Sequence, residues 1–310
     1  MNKILVIGSS NTDLVARVER FPLAGETVEG RYFLQAMGGK GANQAMAAHR
    51  AGGDVTFVTC LGNDLNGQNA FKYYQEEGLD VSLSLQINDV PSGTAMIWVD
   101  DRGENCIVIT PGANKKLSPD HILRIEEAIA AADLVVLQME IPYNTIKTVC
   151  DLSWKNKTKV LLNVAPVRAV DHSLFEKIDI LVVNETEAEA ISGKKTETDG
   201  KEVVADSLLA KGVQTVVLTL GEQGCFFKNR QMSYSVPAFK VSAVDTTGAG
   251  DTFCGALAAQ LSKGKNWEES LKFATAASAI CVTRMGAQPS IPTGKEILEF
   301  LKRISELKLK

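Results

Sequence analysis

The sequence is poor in the residues that mark metal-binding, disulfide-rich or membrane proteins. Its 310 residues include only three histidines and six cysteines, and the cysteines are dispersed without a C-x-x-C pair. A zinc site needs clustered Cys and His ligands, so we expect reduced, mostly buried thiols instead. The longest largely apolar runs, such as Leu134–Met139, fall well short of the ~20 residues of a membrane span.

The sequence also lacks an excess of positive charge. Its net charge is −4, with 23% charged and 45% hydrophobic residues, which argues against a nucleic-acid partner and against global disorder. The opening residues Met1–Lys3 lead directly into the short apolar run Ile4–Ile7, without the features of a secretory signal. We therefore expect a cytoplasmic protein with no membrane partner, built as a single domain over residues 1–310.

Several standard motifs are missing as well. The sequence contains no G-x-x-x-x-G-K-[ST] and no G-x-G-x-x-G after its first apolar run, so neither a P-loop nor a dinucleotide fingerprint is expected. It also lacks G-x-S-x-G and H-E-x-x-H. If the chain binds a nucleotide or hydrolyses a substrate, it does so through a site that none of these motifs describes.

Short apolar, β-branched runs alternate with amphipathic stretches along the chain. Continuous apolarity is typical of strands that are buried on both faces of a parallel sheet. The predicted strands are Ile4–Ile7, Val55–Cys60, Leu134–Leu137, Val160–Leu162, Ile180–Val183 and Val216–Leu220. A helix is predicted from Ser118-Pro119, with Ile122, Ile125 and Ile129 on one face. The pattern predicts an α/β fold with a doubly wound, mostly parallel sheet flanked by helices.

Two segments depart from that alternation, at about residues 13–36 and 94–110. Both have strand-like patterns without an intervening helix, and the second contains a turn at Asp101–Gly103. They predict a small antiparallel sheet outside the main one. Such a sheet has an apolar face to cover, so we expect a lid over a site, a contact with a second copy, or both.

The segment Asp245–Phe253 carries the clearest chemistry. Gly248, Ala249 and Gly250 precede a helical stretch, and backbone amides at a helix N-terminus form an anion hole. Asp251 lies in the first turn, where it can orient and deprotonate a hydroxyl during phosphoryl transfer. The alternative is a glycine-rich turn with Asp251 as an ordinary N-terminal helix charge.

Two other segments offer polar groups suited to a sugar. Gly38–Ala45 presents Lys40 and Asn43 at a glycine-rich helix start, where the alternative is a tight turn with a helix cap. Gly8–Asp13 follows the first strand, where open α/β sheets bind ligands, and Asn11 and Asp13 could hold adjacent hydroxyls. The alternative there is a plain Asx turn.

Two further segments follow predicted strands. Asn184–Glu187 could hold Mg²⁺ through water, or could simply cap a helix. The glycines of Thr219–Gly224 could admit the phosphates of an adenosine nucleotide.

Together these segments resemble the ribokinase group of the PfkB carbohydrate kinase family, essentially from end to end. The blocks Gly38–Ala45 and Asp245–Ala256 are similar to the two signatures of the family, in the same order. The motifs G-S-x-N-x-D, G-G-K-G-A-N-Q-A and G-A-Q-P-S are typical of the ribokinase group, and Asn184–Glu187 resembles the family's N-x-x-E.

The resemblance implies ATP-dependent phosphorylation of D-ribose at its 5-hydroxyl, with Asp251 as general base and the Gly248–Asp251 amides as anion hole. It also implies activation by a monovalent cation, usually K⁺, and a lid sheet that forms a homodimer interface. The implied ribose ligands are Asn11, Asp13, Gly39, Lys40, Asn43, Glu140 and Asp251. The implied nucleotide ligands are Asn184, Thr219, Gly221, Gly224, Gly250 and Thr275, with Mg²⁺ near Glu187. The implied K⁺ ligands are the Asp245 carboxylate, the Ser290 hydroxyl and the carbonyls of Thr247, Cys281, Arg284 and Gly286.

Two alternatives to a ribose kinase stay open. The substrate could be 2-deoxyribose or another small sugar or nucleoside, since hydroxyl-binding residues alone do not define one sugar. The chain could also be a binding protein of the same fold that has lost catalysis. That reading predicts the loss of Asp251 or of an anion-hole glycine, and both are present.

Overall fold

The computed structural model describes residues 2–307, which form strands and helices in alternation. The strands are β1 (Lys3–Ile7), β2 (Asn11–Val18), β3 (Gly30–Gly38), β4 (Asp54–Val58), β5 (Cys60–Gly62), β6 (Leu85–Ile87), β7 (Gly93–Val99), β8 (Asn105–Thr110), β9 (Leu134–Leu137), β10 (Lys159–Asn163), β11 (Ile180–Asn184), β12 (Thr215–Thr219), β13 (Cys225–Asn229) and β14 (Ser233–Val236). The helices are α1 (Lys40–Arg50), α2 (Leu65–Glu76), α3 (Pro119–Arg124), α4 (Glu126–Ala131), α5 (Tyr143–Asn156), α6 (His172–Phe175), α7 (Glu185–Ser192), α8 (Thr196–Asp199), α9 (Lys201–Leu209), α10 (Ala249–Ser262), α11 (Trp267–Cys281) and α12 (Gly294–Leu307).

The main sheet has eight strands in the order β14-β13-β12-β11-β10-β9-β1-β4. The pairs from β4 to β12 are parallel, and β13 and β14 add two antiparallel strands at one edge. The apolar runs that predicted buried strands lie in this sheet, which confirms the mostly parallel α/β class.

Helices cover both faces of the sheet, so successive side chains of one strand enter different cores. In β1, Ile4 and Val6 belong to the core that includes residues of α1, α10 and α11, whereas Leu5 and Ile7 belong to the core that includes residues of α3 and α5. All four are at most 2% exposed. Burial on both faces explains why the strand is apolar throughout rather than alternating.

A second sheet has four strands in the order β3-β2-β7-β8, the two predicted segments outside the main sheet. β2 and β3 are antiparallel, as are β7 and β8, whereas the central pair β2 and β7 is parallel. The antiparallel prediction therefore holds for the two hairpins, and each hairpin is one continuous piece of chain. The Asp101–Gly103 turn joins β7 to β8, and Gly103 has a φ of 83° there.

Two predicted elements are interrupted. The run Val55–Cys60 divides into β4 and β5, because the chain leaves the main sheet after Val58 and pairs β5 with β6. The helix from Ser118 begins as predicted, with the Ser118 hydroxyl accepting the His121 amide, but it breaks at Ile125, where φ is −107° and ψ is 20°. The apolar stripe is retained, since Ile122, Ile125 and Ile129 are all buried. No helix within residues 2–307 is both long and apolar enough to cross a membrane.

Candidate active site

The carboxyl ends of the central strands and the N-termini of α1 and α10 meet at one edge of the main sheet. Asn11 begins β2 after the turn that follows β1, Glu140 follows β9, and Asn184 and Thr219 end β11 and β12. A direct contact joins the two helices, because the Asn43 side chain of α1 donates to Asp251 of α10. The topology therefore gathers segments that are far apart in the sequence.

Asp251 lies in the first turn of α10 and is 7% exposed. Its Oδ2 accepts the Asn43 Nδ2 at 3.0 Å, and its Oδ1 accepts the Gln44 Nε2 at 2.9 Å. Each carboxylate oxygen retains a second lone pair for a hydroxyl. The geometry thus suits a carboxylate that accepts a proton from a small bound alcohol.

Beside Asp251, the backbone can bind an anion. The amides of Gly248, Gly250 and Asp251 donate to no protein acceptor within residues 2–307. The Ala249 amide differs, because it donates to the Thr246 carbonyl at 3.2 Å. The Thr246 turn therefore occupies the Ala249 amide, whereas the other three amides of the predicted anion hole have no protein acceptor and remain available for a ligand.

Asp13 is buried at 8% exposure, and no protein group in the described part of the chain donates to its carboxylate. Burial, together with the negative charges of Glu140 and Asp251, raises the pKa of Asp13 to about 7. Gly38 lies directly under it, since a Cβ there would approach the Asp13 carboxylate to 2.0 Å. The fold therefore holds the Asp13 carboxylate in place without giving it a hydrogen-bond donor, which leaves it available for the hydroxyl groups of a ligand.

Lys40 supplies the positive charge of this cleft. The negative charge of Asp251 raises the pKa of Lys40, burial opposes that effect, and Glu140 and Glu187 raise it further. Glu140 is tied to the start of α1, because its Oε2 accepts the Ser9 hydroxyl at 2.6 Å and the Lys40 backbone amide at 2.9 Å. Its other oxygen has no protein donor in the same region.

The chain reaches α1 through Gly39, which has a φ of 88°. A Cβ at Gly39 would also lie 2.8 Å from the Asn11 backbone nitrogen. Any other residue would be strained there and would separate the two segments. The glycine therefore brings Asn11 and the N-terminus of α1 together.

Sequence reasoning missed Asn114, a fully buried residue that orients Asn11. The Asn114 Nδ2 donates to Asn11 Oδ1 at 2.8 Å and to the Ser10 carbonyl at 3.0 Å, and its Oδ1 accepts the Ser10 amide at 2.9 Å. Because the Asn11 oxygen is already used, the Asn11 NH₂ group is the part that remains for a ligand. A lone Asn within Gly112–Lys116 carried no signal of this role.

A cavity of about 890 Å³ lies on the other side of α10. It is lined by every residue predicted to meet a nucleotide, namely Asn184, Thr219, Gly221, Gly224, Gly250 and Thr275. A further wall, missed by sequence reasoning, comes from the segment between β14 and Asp245. Its lining members are Ala238, Phe239, Lys240, Val241 and Ala243.

The contacts of Asn184–Glu187 show the capping interpretation directly. The Asn184 side chain accepts the Glu187 amide, and Glu187 Oε2 accepts the Asn184 amide, each at 2.8 Å, which forms a capping box. Burial raises the pKa of Glu187, the Asn184 amide and the charge of Lys40 lower it, and Asp251 raises it again. The capping carboxylate therefore also belongs to the charged cleft, and no protein group within residues 2–307 donates to its other oxygen.

The residues expected to bind a monovalent cation lie at a junction of two loops. Burial acts to raise the pKa of Asp245, but the amides of Thr247 and Gly286, at 2.9 and 2.8 Å, hold it below its usual value. The Cys281 Sγ lies 2.9 Å from the Ser290 Oγ and 3.8 Å from the Thr247 carbonyl oxygen. A carboxylate, a hydroxyl and carbonyls are the hard oxygen donors that suit an alkali cation. By contrast, no group of three or more His, Cys, Asp or Glu side chains within residues 2–307 is arranged around a metal position.

A partly unsatisfied carboxylate beside open helix amides, with a polar cleft on one side and a large cavity on the other, suits the transfer of a phosphoryl group to a small polyhydroxylated acceptor. On a doubly wound sheet, this defines an α/β sugar kinase. Comparison with known proteins leads to the same class and narrows it. Residues 1–294 match the pfkB family of carbohydrate kinases.

Individual relatives are similar over almost their whole length. A ribokinase from Haemophilus influenzae is 40% identical, covering 97% of this chain and 99% of that one. A deoxyribokinase from Salmonella typhi is 37% identical, covering 96% and 98%. The structure of Arabidopsis thaliana ribokinase complexed with ribose and ATP superposes with a TM-score of 0.89 at 33% identity, covering 97% and 98%. The chain belongs to the pfkB carbohydrate kinase family.

Proposed function

We propose that this protein transfers the terminal phosphoryl group of ATP to O5 of D-ribose, giving D-ribose 5-phosphate and ADP. The observation that carries the proposal is the position of Asp251, between the polar cleft of Asp13 and Lys40 and the large cavity, with unpartnered amides beside it. The ribokinases among the relatives support ribose as the acceptor.

In the proposed mechanism, Asn11, Asp13, Gly39, Lys40, Asn43 and Glu140 hold the sugar. Asp251 accepts the proton of the 5-hydroxyl while that oxygen bonds to the phosphorus and the bond to the ADP oxygen breaks. The amides of Gly248, Gly250 and Asp251 hold the charge on the transferred group, since they lie at the N-terminus of α10 and have no protein partner within residues 2–307. Lys40 adds positive charge to the same cleft.

The nucleotide is assigned to the cavity of about 890 Å³, where Asn184, Thr219, Gly221, Gly224, Gly250 and Thr275 lie on its wall. A magnesium ion bound with ATP would neutralise phosphate charge, and Glu187 is the carboxylate that would hold it through water. The remaining oxygen of Glu187 and its place near Lys40 support this assignment.

The junction of Asp245, Thr247, Cys281, Arg284, Gly286 and Ser290 is proposed to bind K⁺. Its carboxylate accepts the amide of Thr247, which is followed directly by Gly248 of the anion hole. A cation there would act by ordering the turn that presents the open amides. It would raise the rate without taking part in bond formation.

The chain is proposed to work as one kinase domain over residues 1–310. Its second sheet, formed by β3, β2, β7 and β8, is the predicted lid sheet and is proposed to serve as a homodimer interface. Because side chains alternate along a strand, one face of this sheet carries Asp13 and the opposite face is largely apolar. The register places these residues on the apolar face: Leu14, Met96, Val108, Ala16, Trp98 and Phe33. Phe33 is 62% exposed and Val108 is 45% exposed. An apolar face of this kind, continuous with the sheet that carries a site residue, fits a second copy of the same face.

The deciding experiment is the release of ADP from ATP and Mg²⁺ by the purified protein with D-ribose, with and without K⁺. We expect ribose-dependent turnover that Asp251→Ala lowers by ~10²- to 10⁴-fold while ATP binding remains. Asp179→Asn is the matched control, because Asp179 accepts the Val160 amide at the opposite end of the sheet. Turnover of Asp251→Ala within threefold of the parent would contradict the role of this carboxylate.

A second candidate substrate is 2-deoxyribose, which the deoxyribokinase among the relatives favours. The two sugars differ only in the 2-hydroxyl, so their kcat/KM values in the same assay separate the alternatives. A higher value for 2-deoxyribose would transfer the proposal to that sugar and leave the mechanism unchanged. ATP binding without turnover on any sugar would instead support a binding protein.

A further inference from the structure

Gln44 touches the carboxylate of Asp251 but cannot touch a substrate. Its side chain is fully buried on α1, and its Nε2 donates to Asp251 Oδ1 at 2.9 Å. Asn43, the neighbouring residue, donates to the other oxygen from a position that also borders the cleft. Gln44 can therefore influence the reaction only through Asp251.

The direction of the Gln44 amide is determined by its other partners. Its Nε2 also donates to Asn163 Oδ1 at 3.0 Å, and its Oε1 accepts the Gln138 Nε2 at 2.8 Å. Asn163 in turn donates from Nδ2 to the Val182 carbonyl at 3.1 Å, which leaves its Oδ1 as the acceptor. A flipped Gln44 amide would place oxygen against two oxygen acceptors and nitrogen against a donor, so only one orientation satisfies every contact.

These contacts connect Asp251 to the central strands of the main sheet. Gln138 directly follows β9, Asn163 ends β10, and Val182 lies within β11. We call Gln138, Gln44 and Asn163 the amide relay. It runs across neighbouring parallel strands, at most 7% exposed at each member, and ends on one oxygen of the carboxylate.

We propose that Gln44 is a positioning residue for the general base, held by Gln138 and Asn163 so that Asp251 presents its remaining lone pairs to the sugar hydroxyl. The inference rests on the proposed role of Asp251 in phosphoryl transfer. In that step the hydroxyl proton moves to the carboxylate as the new O–P bond forms. A carboxylate that can rotate loses this alignment, and a displacement of about 1 Å costs roughly 10²-fold in rate.

The first test is Gln44→Leu, which keeps the approximate volume and removes the amide. We expect kcat with D-ribose to fall about 100-fold, whereas KM for ribose and for ATP changes less than about threefold, since Gln44 contacts neither ligand. Asn156→Leu is the matched control, because it removes an amide that donates to a carboxylate, Glu126, and to a backbone carbonyl far from the site. Its kcat should stay near that of the parent.

The second test is Gln44→Glu, followed across pH. When protonated, the new side chain can still donate to Asp251, but when ionised it repels that carboxylate. We therefore expect its kcat, relative to the parent, to fall as pH rises from 6 to 9. A merely structural role for Gln44 would leave the ratio constant.

Gln138→Met keeps the inference testable if the Gln44 variants do not fold. It removes the donor to Gln44 Oε1 without touching Asp251, and we expect an intermediate loss of kcat, about fivefold to tenfold, at unchanged KM. A folded Gln44→Leu with kcat within threefold of the parent, or a loss confined to KM, would overturn the inference. The same holds if only Gln138→Met can be tested and its kcat is unchanged. Failure of the parent to use any sugar would overturn the proposed function instead, so the two failures are distinct.

Discussion

Replacing Asp13 by Asn should stabilise the ligand-free protein while weakening its hold on ribose. Burial, with Glu140 and Asp251 nearby, raises the pKa of Asp13 from 3.8 to about 7. Between these values the folded protein keeps a proton that the unfolded chain has lost. The stability due to this proton is fully present below 3.8 and disappears as pH rises through about 7.

The size of the effect follows from the same two values. At 1.36 kcal/mol per pKa unit, full ionisation of Asp13 in the folded state costs about 4 kcal/mol, of which about 2.5 kcal/mol falls between pH 5 and pH 8. Asn resembles the protonated form and does not ionise. The stability advantage of Asp13→Asn over the parent should therefore grow by about that amount from pH 5 to pH 8.

The assay is urea unfolding of both proteins at pH 5, 6, 7 and 8 without ligand, with Asp54→Asn as a control for loss of one exposed carboxyl. Ribose binding is measured over the same range. The parent should bind ribose more tightly as pH rises, because an ionised carboxylate is the better hydroxyl acceptor, and Asp13→Asn should bind about 10- to 100-fold more weakly. A stability gap that is constant or shrinks with pH would refute the reasoning.

Three further outcomes are expected. Asn114→Leu should raise KM for ribose about tenfold in kinetic assays and lower the free energy of unfolding in urea by about 1–3 kcal/mol, since Ser10 and Asn11 lose their partner. An unchanged KM would contradict the role of Asn114. Asp245→Asn should bring the ratio of rates with and without K⁺ close to one, and persistent stimulation would place the cation elsewhere. Phe33→Asp should convert a dimer to a monomer in light scattering, and an unchanged mass would remove the lid interface.

The sequence predicted those parts of the fold and site that depend on local pattern. The continuous apolar runs became the parallel core, because burial on both faces of a sheet leaves no room for polar alternation. Asn184 caps α7 as its position after a strand suggests, and the glycine-rich segment before Asp251 opens α10. Each of these features is decided by residues within a few positions of one another.

Contacts between distant segments escaped that reasoning. The Asn114–Ser10 hydrogen bonds join residues 104 positions apart, and the contact of Gln44 with Asp251 spans 207 positions. The break at Ile125 had no local signal either, since its apolar stripe is intact and both α3 and α4 pack on α5. No local pattern records which distant partner a buried amide will meet.

The α/β class, the family and the residue types of the site follow from local sequence patterns, because hydrophobic periodicity and glycine-rich helix starts are properties of short stretches of chain. Which oxygen and nitrogen atoms of each side chain remain for a ligand depends instead on contacts between distant segments of the folded chain. Most buried polar atoms are paired within the protein, and their partners lie on strands and helices that come together only when the sheet forms. The raised pKa of Asp13 and the amide relay behind Asp251 both result from contacts between segments that are far apart in the sequence.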